Sequence, residues 1–223
     1  MIYIVMLIIS MLYVADLILL VPKYTLCKYD HTPRRKKLYW KAACIGVPLL
    51  VFLGTLILSY IWKEFDIKEL FLFIGMLLCA VGDIVLEIRF LRGGILFLAG
   101  HLVYVASLIY IGGGFNIVSL SVYVVLALAG VILTLKKLGK KYRAALLIYN
   151  FVISATFALS VSLIFSFKIE NMILGAGACF LVISDWLLAR NKVFKTGYYW
   201  SLLSLVFYFG GQILISIYPF LNK

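Results

Sequence analysis

The sequence predicts an all-α polytopic membrane protein, a bundle of eight transmembrane helices, and three observations carry that reading. The chain of 223 residues is 65% hydrophobic with a mean hydropathy of +1.11, more apolar surface than a water-soluble domain of this size can hide. About eight apolar stretches, each near the roughly 20 residues that cross a bilayer core, take up almost all of it. The basic residues gather between those stretches, and in alternate gaps. A single transmembrane domain over 1–223 is therefore expected, with no room for a soluble one.

In order, the spans fall at about 2–21, 42–62, 69–88, 94–111, 116–135, 145–167, 170–189 and 199–220. The first lacks a basic start, carries Asp16 and is followed by no small-residue cleavage site, so it reads as a span and not a signal peptide. Pro22 marks its end. The second follows the basic run Arg34 to Lys37 and Lys41, and the third carries Asp83 and Glu87 four residues apart on one helix face. In the fourth, Phe97, His101, Tyr104 and Leu108 form a second such stripe, and the glycines at 112 to 114 follow as a loop. The fifth is apolar on every side from Leu120 to Leu135, which excludes the alternation of a β-barrel strand. Asn150 marks the sixth, Asp185 the seventh, Tyr208 and Gln212 the eighth. Cys27, Cys44, Cys79 and Cys179 form no CxxC pair and read as small packing residues without a disulfide.

Charge gives the orientation. Lys23, Lys28, Arg34, Arg35, Lys36, Lys37 and Lys41 precede span two. Arg89 and Arg92 lie in the third gap, Lys136, Lys137, Lys140, Lys141 and Arg143 in the fifth, and Arg190, Lys192 and Lys195 in the seventh. These are 17 of the 21 basic residues. The others, Lys63, Lys68, Lys168 and Lys223, are nearly balanced by Glu64, Asp66, Glu69 and Glu170. The positive-inside rule puts the odd-numbered gaps in the cytoplasm and both termini outside. The net charge of +12 thus reads as topology and contact with anionic lipid, not as a nucleic-acid surface.

Ionisable groups within spans are costly and mark functional sites. At 1.5 Å rise per residue, Asp16, Asp83, His101, Asn150 and Asp185 all come out roughly 7–11 Å inside the cytoplasmic boundary, although their spans run in opposite directions. One cytoplasm-facing polar cavity is the expectation. Glu87 either joins it or pairs with Arg89 or Arg92 at the interface. Tyr208 and Gln212, about 15 and 21 Å deep, are placed along an acyl tunnel. Two carboxylates and a histidine in a dry pocket suit general acid–base chemistry. A three-histidine zinc centre cannot be built, because His31 lies in a loop and only His101 in a span. Neither a GxSxG elbow nor a phosphate-binding glycine loop occurs. Ser184 reads as a helical serine bonded back to a carbonyl before it reads as a nucleophile.

The stretch Gly82-Asp83, then Phe90, Gly94, Phe97, His101 and Tyr104, resembles the first signature of the YhhN family of membrane proteins, which includes lysoplasmalogenases. Ser184-Asp185 with Leu188-Ala189 and Phe194 resembles its second, Tyr208 with Gln212 its last, and Lys41 its lysine at the start of span two. The chain departs from the pattern in carrying the nearby proline at Pro48 and Gly210-Gly211 before Gln212. The resemblance implies hydrolysis of the vinyl ether of a lysoplasmalogen to a fatty aldehyde and glycerophosphoethanolamine or glycerophosphocholine, with no cofactor or metal. Protonation of a vinyl carbon followed by water attack calls for a carboxylic acid and an ionised partner, roles that fall to Asp83 and Asp185 with His101 orienting one of them or the water. Lys41, Asp16, Glu87, Tyr104, Tyr149, Asn150, Ser184, Asn191, Tyr208 and Gln212 complete the expected substrate site, with the substrate phosphate near Lys41. The expected partners are a lysophospholipid and the bilayer of the cell membrane, with no nucleic acid. A proton-coupled transporter of a small molecule or lipid is the competing expectation, since Asp, Glu and His also build proton relays, although no internal repeat supports it.

Overall fold

The computed structural model describes residues 2–30, 32–62, 65–112, 114–137, 140–194 and 197–221, excluding the side chains of 2–7, 134–137, 140–142 and 192–194. His31, Lys63, Glu64, Lys195 and Lys223, and the side chains of Lys136, Lys137, Lys140, Lys141, Lys192 and Phe194, lie outside that description. Every element among the described residues is helical: α1 Ile2–Ala15, a π-helical turn Asp16–Leu20, α2 Val21–Tyr29, α3 Arg34–Ile61, α4 Ile67–Leu86, α5 Phe90–Gly112, α6 Ile117–Lys137, α7 Lys140–Ile164, α8 Ile169–Phe194, α9 Tyr198–Ser216 and α10 Tyr218–Leu221. Among the described residues, seven helical stretches are long and apolar enough to cross a membrane. The fifth predicted span, α6, contributes the apolar stretch Ile117–Leu133 among the residues whose side chains are described. The chain is an integral, polytopic helical membrane protein.

The first helix does not stop at Pro22. Proline lacks an N–H, and its ring would strike the carbonyl four residues back in an α-helix. The wide turn Asp16–Leu20 immediately precedes it and carries the chain into α2, where Pro22 takes a first-turn position. Tyr24 and Lys28 are thereby held on a helix inside the bundle and not in a loop. At the opposite end, Asp66 caps α4 by accepting from the Lys68 amide at 3.1 Å.

The first span (α1, the π turn and α2), α3, α4, α5, α7, α8 and α9 pack in sequence around a closed ring, because α9 returns against α2 and α3. The helix α6 packs chiefly on α7, outside that ring. Two pairs approach most intimately, α4 with α5 and α8 with α9, and small residues are the reason. A Cβ on Gly100 would stand 2.5 Å from Cys79 Sγ, and one on Gly211 2.6 Å from the carbonyl oxygen of Gly177. Gly82, directly before Asp83, admits Phe97 and Leu96 of α5 in the same way.

Candidate functional site

At the basic end of the ring, α2, α3, α4, α5, α8 and α9 enclose a cavity of about 70 Å³. Lys41, 4% exposed, comes from the second turn of α3, and Asp83, 7% exposed, from the last turn of α4. The Lys41 ammonium donates to Asp83 Oδ1 at 2.8 Å and to Glu87 Oε1 at 3.2 Å, while the Tyr24 hydroxyl donates to the same Glu87 oxygen at 2.5 Å. Glu87 therefore pairs with Lys41 and not with Arg89 or Arg92, because its i,i+4 relation to Asp83 points both carboxylates at one ammonium. Arg34 reaches only the backbone carbonyl of Glu87, at 3.0 Å. One lysine thus serves two carboxylates, and Lys41 is committed within the protein.

Across the cavity stands Asp185, 5% exposed. Its Oδ2 accepts from the Tyr149 hydroxyl at 2.6 Å and lies 2.8 Å from His101 Nε2. The far side of that ring is decisive. Thr156 Oγ1 lies 3.3 Å from His101 Nδ1 and gives its own hydrogen to the Val152 carbonyl at 3.1 Å. Thr156 and Asp185 together fix the orientation of the ring, each facing one of its nitrogens. The Asp185 carboxyl and the His101 imidazole are thus a buried, hydrogen-bonded pair. Buried charge of this kind persists only when its groups are paired and hydrogen-bonded, as here.

A second, apolar cavity of about 290 Å³ lies between α5 and α7 and shares Asp185, Leu86, Phe90, Phe97 and Leu188 with the first. Tyr149 lines this second cavity, and Ser184 and Tyr208 line the first. Tyr208 is thus a wall of the polar cavity and not of an acyl tunnel, and its buried hydroxyl makes no hydrogen bond among the described residues. Ser184 Oγ faces Ser204 Oγ at 3.3 Å, and Ser204 donates to the Ser184 carbonyl at 3.0 Å, so this pair stitches α8 to α9.

Four expected members stand elsewhere. Asn150 donates from Nδ2 to the Ala127 carbonyl at 3.0 Å and fills the space over Gly130, which makes it the clamp between α6 and α7. Asp16 is 1% exposed in the π turn, and neither of its oxygens has a hydrogen-bond partner among the described residues. Gln212 is fully buried in α9 outside both cavities, and Asn191 Nδ2 reaches the Tyr29 hydroxyl at 3.4 Å. A shared depth does not fix the direction a side chain takes around its helix, which is why equal insertion misplaced Asp16 and Asn150. Tyr104 packs on Gly75 and sets its edge against the His101 ring, with centroids 6.1 Å apart. Sequence reasoning missed Thr156 and Tyr24. Thr156 lies two turns after Tyr149, on the same face of α7, and that spacing was the available signal.

Residues 37–217 match the profile described as the YhhN family. The chain belongs to the YhhN family. The match takes in the cavity residues from Lys41 to Tyr208, α3 from its fourth residue and every helix from α4 to α9, while Tyr24 and Lys28 precede it. No curated protein and no solved structure matches this YhhN chain.

Proposed function

We propose that this YhhN-family protein is a lysoplasmalogenase-like ether hydrolase of the cell membrane, cleaving the vinyl ether of a lysoplasmalogen without a cofactor. The observation that carries this reading is the unequal provision for the two cavity carboxylates. Asp185 is hydrogen-bonded to His101 and Tyr149, and Asp83 is held by the Lys41 ammonium. Enol-ether hydrolysis needs those two environments side by side. The Asp185–His101 pair delivers its proton to the vinyl carbon remote from oxygen, leaving an oxocarbenium ion. A water then adds to the oxygen-bearing carbon as Asp83 takes its proton. Collapse of the hemiacetal breaks the carbon–oxygen bond, releases the aldehyde and returns a hydrogen to the glycerol oxygen. Transfer of the remaining proton from Asp83 to Asp185 resets the site, and one water is consumed overall.

The test is incubation of the purified protein with a lysoplasmalogen beside the matching ester lysophospholipid. Fatty aldehyde and glycerophosphoethanolamine from the first alone are expected. Absence of aldehyde, together with flux of lipid or protons in sealed vesicles, would replace hydrolysis by transport.

A further inference from the structure

We infer that the apolar groove between α5 and α7 holds the hydrocarbon chain of a single-chain amphiphile whose polar end occupies the Lys41–Asp83 cavity. The proposal deepens the function above and rests on it for the nature of the polar end. Leu91, Ile95 and Leu98 of α5 face Leu146 and Ile148 of α7 across the groove, so its long walls are aliphatic. At one point only does an ionisable carboxylate enter that wall. It is Asp185, which also lines the polar cavity.

The two spaces are neighbours, parted by the side chains of Leu86, Phe90, Phe97, Asp185 and Leu188 that line both. A ligand occupying both must change from polar to apolar character where it passes Asp185. In a lysophospholipid that change falls at the oxygen joining the glycerol to its one chain, which in a lysoplasmalogen is the vinyl ether itself. The bond to be cleaved is thereby laid against the Asp185–His101 pair. The alternative path along α9 offers no such junction, since Gln212 lines neither space. A second chain would have to lie in the charged cavity, which is too polar for it.

Gly94 allows the groove to be closed without disturbing the fold. It lines the groove, and a Cβ placed on it meets no atom within 4 Å. A leucine there projects into the groove instead of into a neighbouring helix. Ala145, exposed on the facing wall, gives a second position at which to fill it.

The experiment uses a saturated 1-O-alkyl lysophosphoethanolamine with a diazirine at the chain end, photolysed with the purified protein in nanodiscs. This probe has no enol ether and is not turned over. Adducts are expected to concentrate on residues 90–98 and 145–149, and to fall roughly tenfold there in Gly94→Leu and in Ala145→Phe, the scale of an overfilled site. Adducts spread evenly over the lipid-facing helices and unchanged in both variants would overturn the proposal, as would adducts concentrated around Gln212. Because the probe reports binding alone, adducts confined to the groove of a protein that releases no aldehyde would keep the chain site and remove the proposed reaction.

Discussion

At the residue scale, the site's chemistry is set by who shares a hydrogen with whom. Under the proposed hydrolysis, Asp83→Asn and Asp185→Asn are each expected to lower aldehyde release by about 10²–10⁴-fold, measured on monodisperse protein, since each would remove a positioned proton-transfer group. A variant at near-full rate would mark that carboxylate as structural. Thr156→Val keeps the shape of the side chain and removes the hydroxyl bonded to His101 Nδ1, so turnover should fall by about tenfold while lipid photolabelling persists. Unchanged turnover would show that the imidazole is oriented without it. Asp83, Asp185 and His101 were legible in the sequence because an ionisable group inside an apolar span has few harmless explanations. Thr156 was not, because a threonine in a helix most often satisfies itself on the preceding turn, and this one does that as well.

At the element scale, the helix pairs that carry Asp83, His101 and Asp185 are drawn together by the absence of side chains. Gly211→Ala puts a methyl 2.6 Å from a backbone oxygen of α8, which cannot step aside as a flexible side chain could. It should destabilise the protein by about 2 kcal/mol or more, seen as a lower Tm in detergent, while Gly46→Ala, whose Cβ meets nothing within 4 Å, should leave Tm unchanged. Equal behaviour of the two would contradict the close α8–α9 approach. Asn150→Leu should loosen α6 from α7 and lower Tm yet leave the rate per folded molecule intact, because Asn150 serves that seam and not the cavity. A loss as large as that of Asp185→Asn would return Asn150 to the site. Most helix positions were readable from hydropathy alone. The extension of α3 back to Arg34 was not, since its first turns are basic and interfacial, and neither was the passage of the first helix through Pro22.

At the scale of the whole molecule, a ring of helices around one polar cavity follows from the cost of burying charge in lipid, and membership of the YhhN family agrees with the order of the motifs. The exclusion of α6 from the ring could not be read in advance, because periodicity cannot say which of several apolar helices has fewest protein neighbours. Orientation follows from the distribution of lysine and arginine. In a cysteine-free background, a reporter cysteine in the segment 136–143 should react with an impermeant reagent only from the cytoplasmic side. Reaction from outside would invert the molecule and put the cavity mouth on the other face.

The wide turn ahead of Pro22 can be described as a phase shift. A π turn takes in one residue more than an α-helical turn, and each residue in an α-helix advances about 100° around the axis. Everything beyond Leu20 is therefore rotated by about that angle relative to an unbroken α-helix, and this rotation points Tyr24 at Glu87 and Lys28 at Ser201. Removal of any one of the five residues from Asp16 to Leu20 would cancel the shift and swing both side chains about a quarter of the way round the helix. Hydropathy and span length would hardly register the loss, yet one wall of the cavity would face another direction.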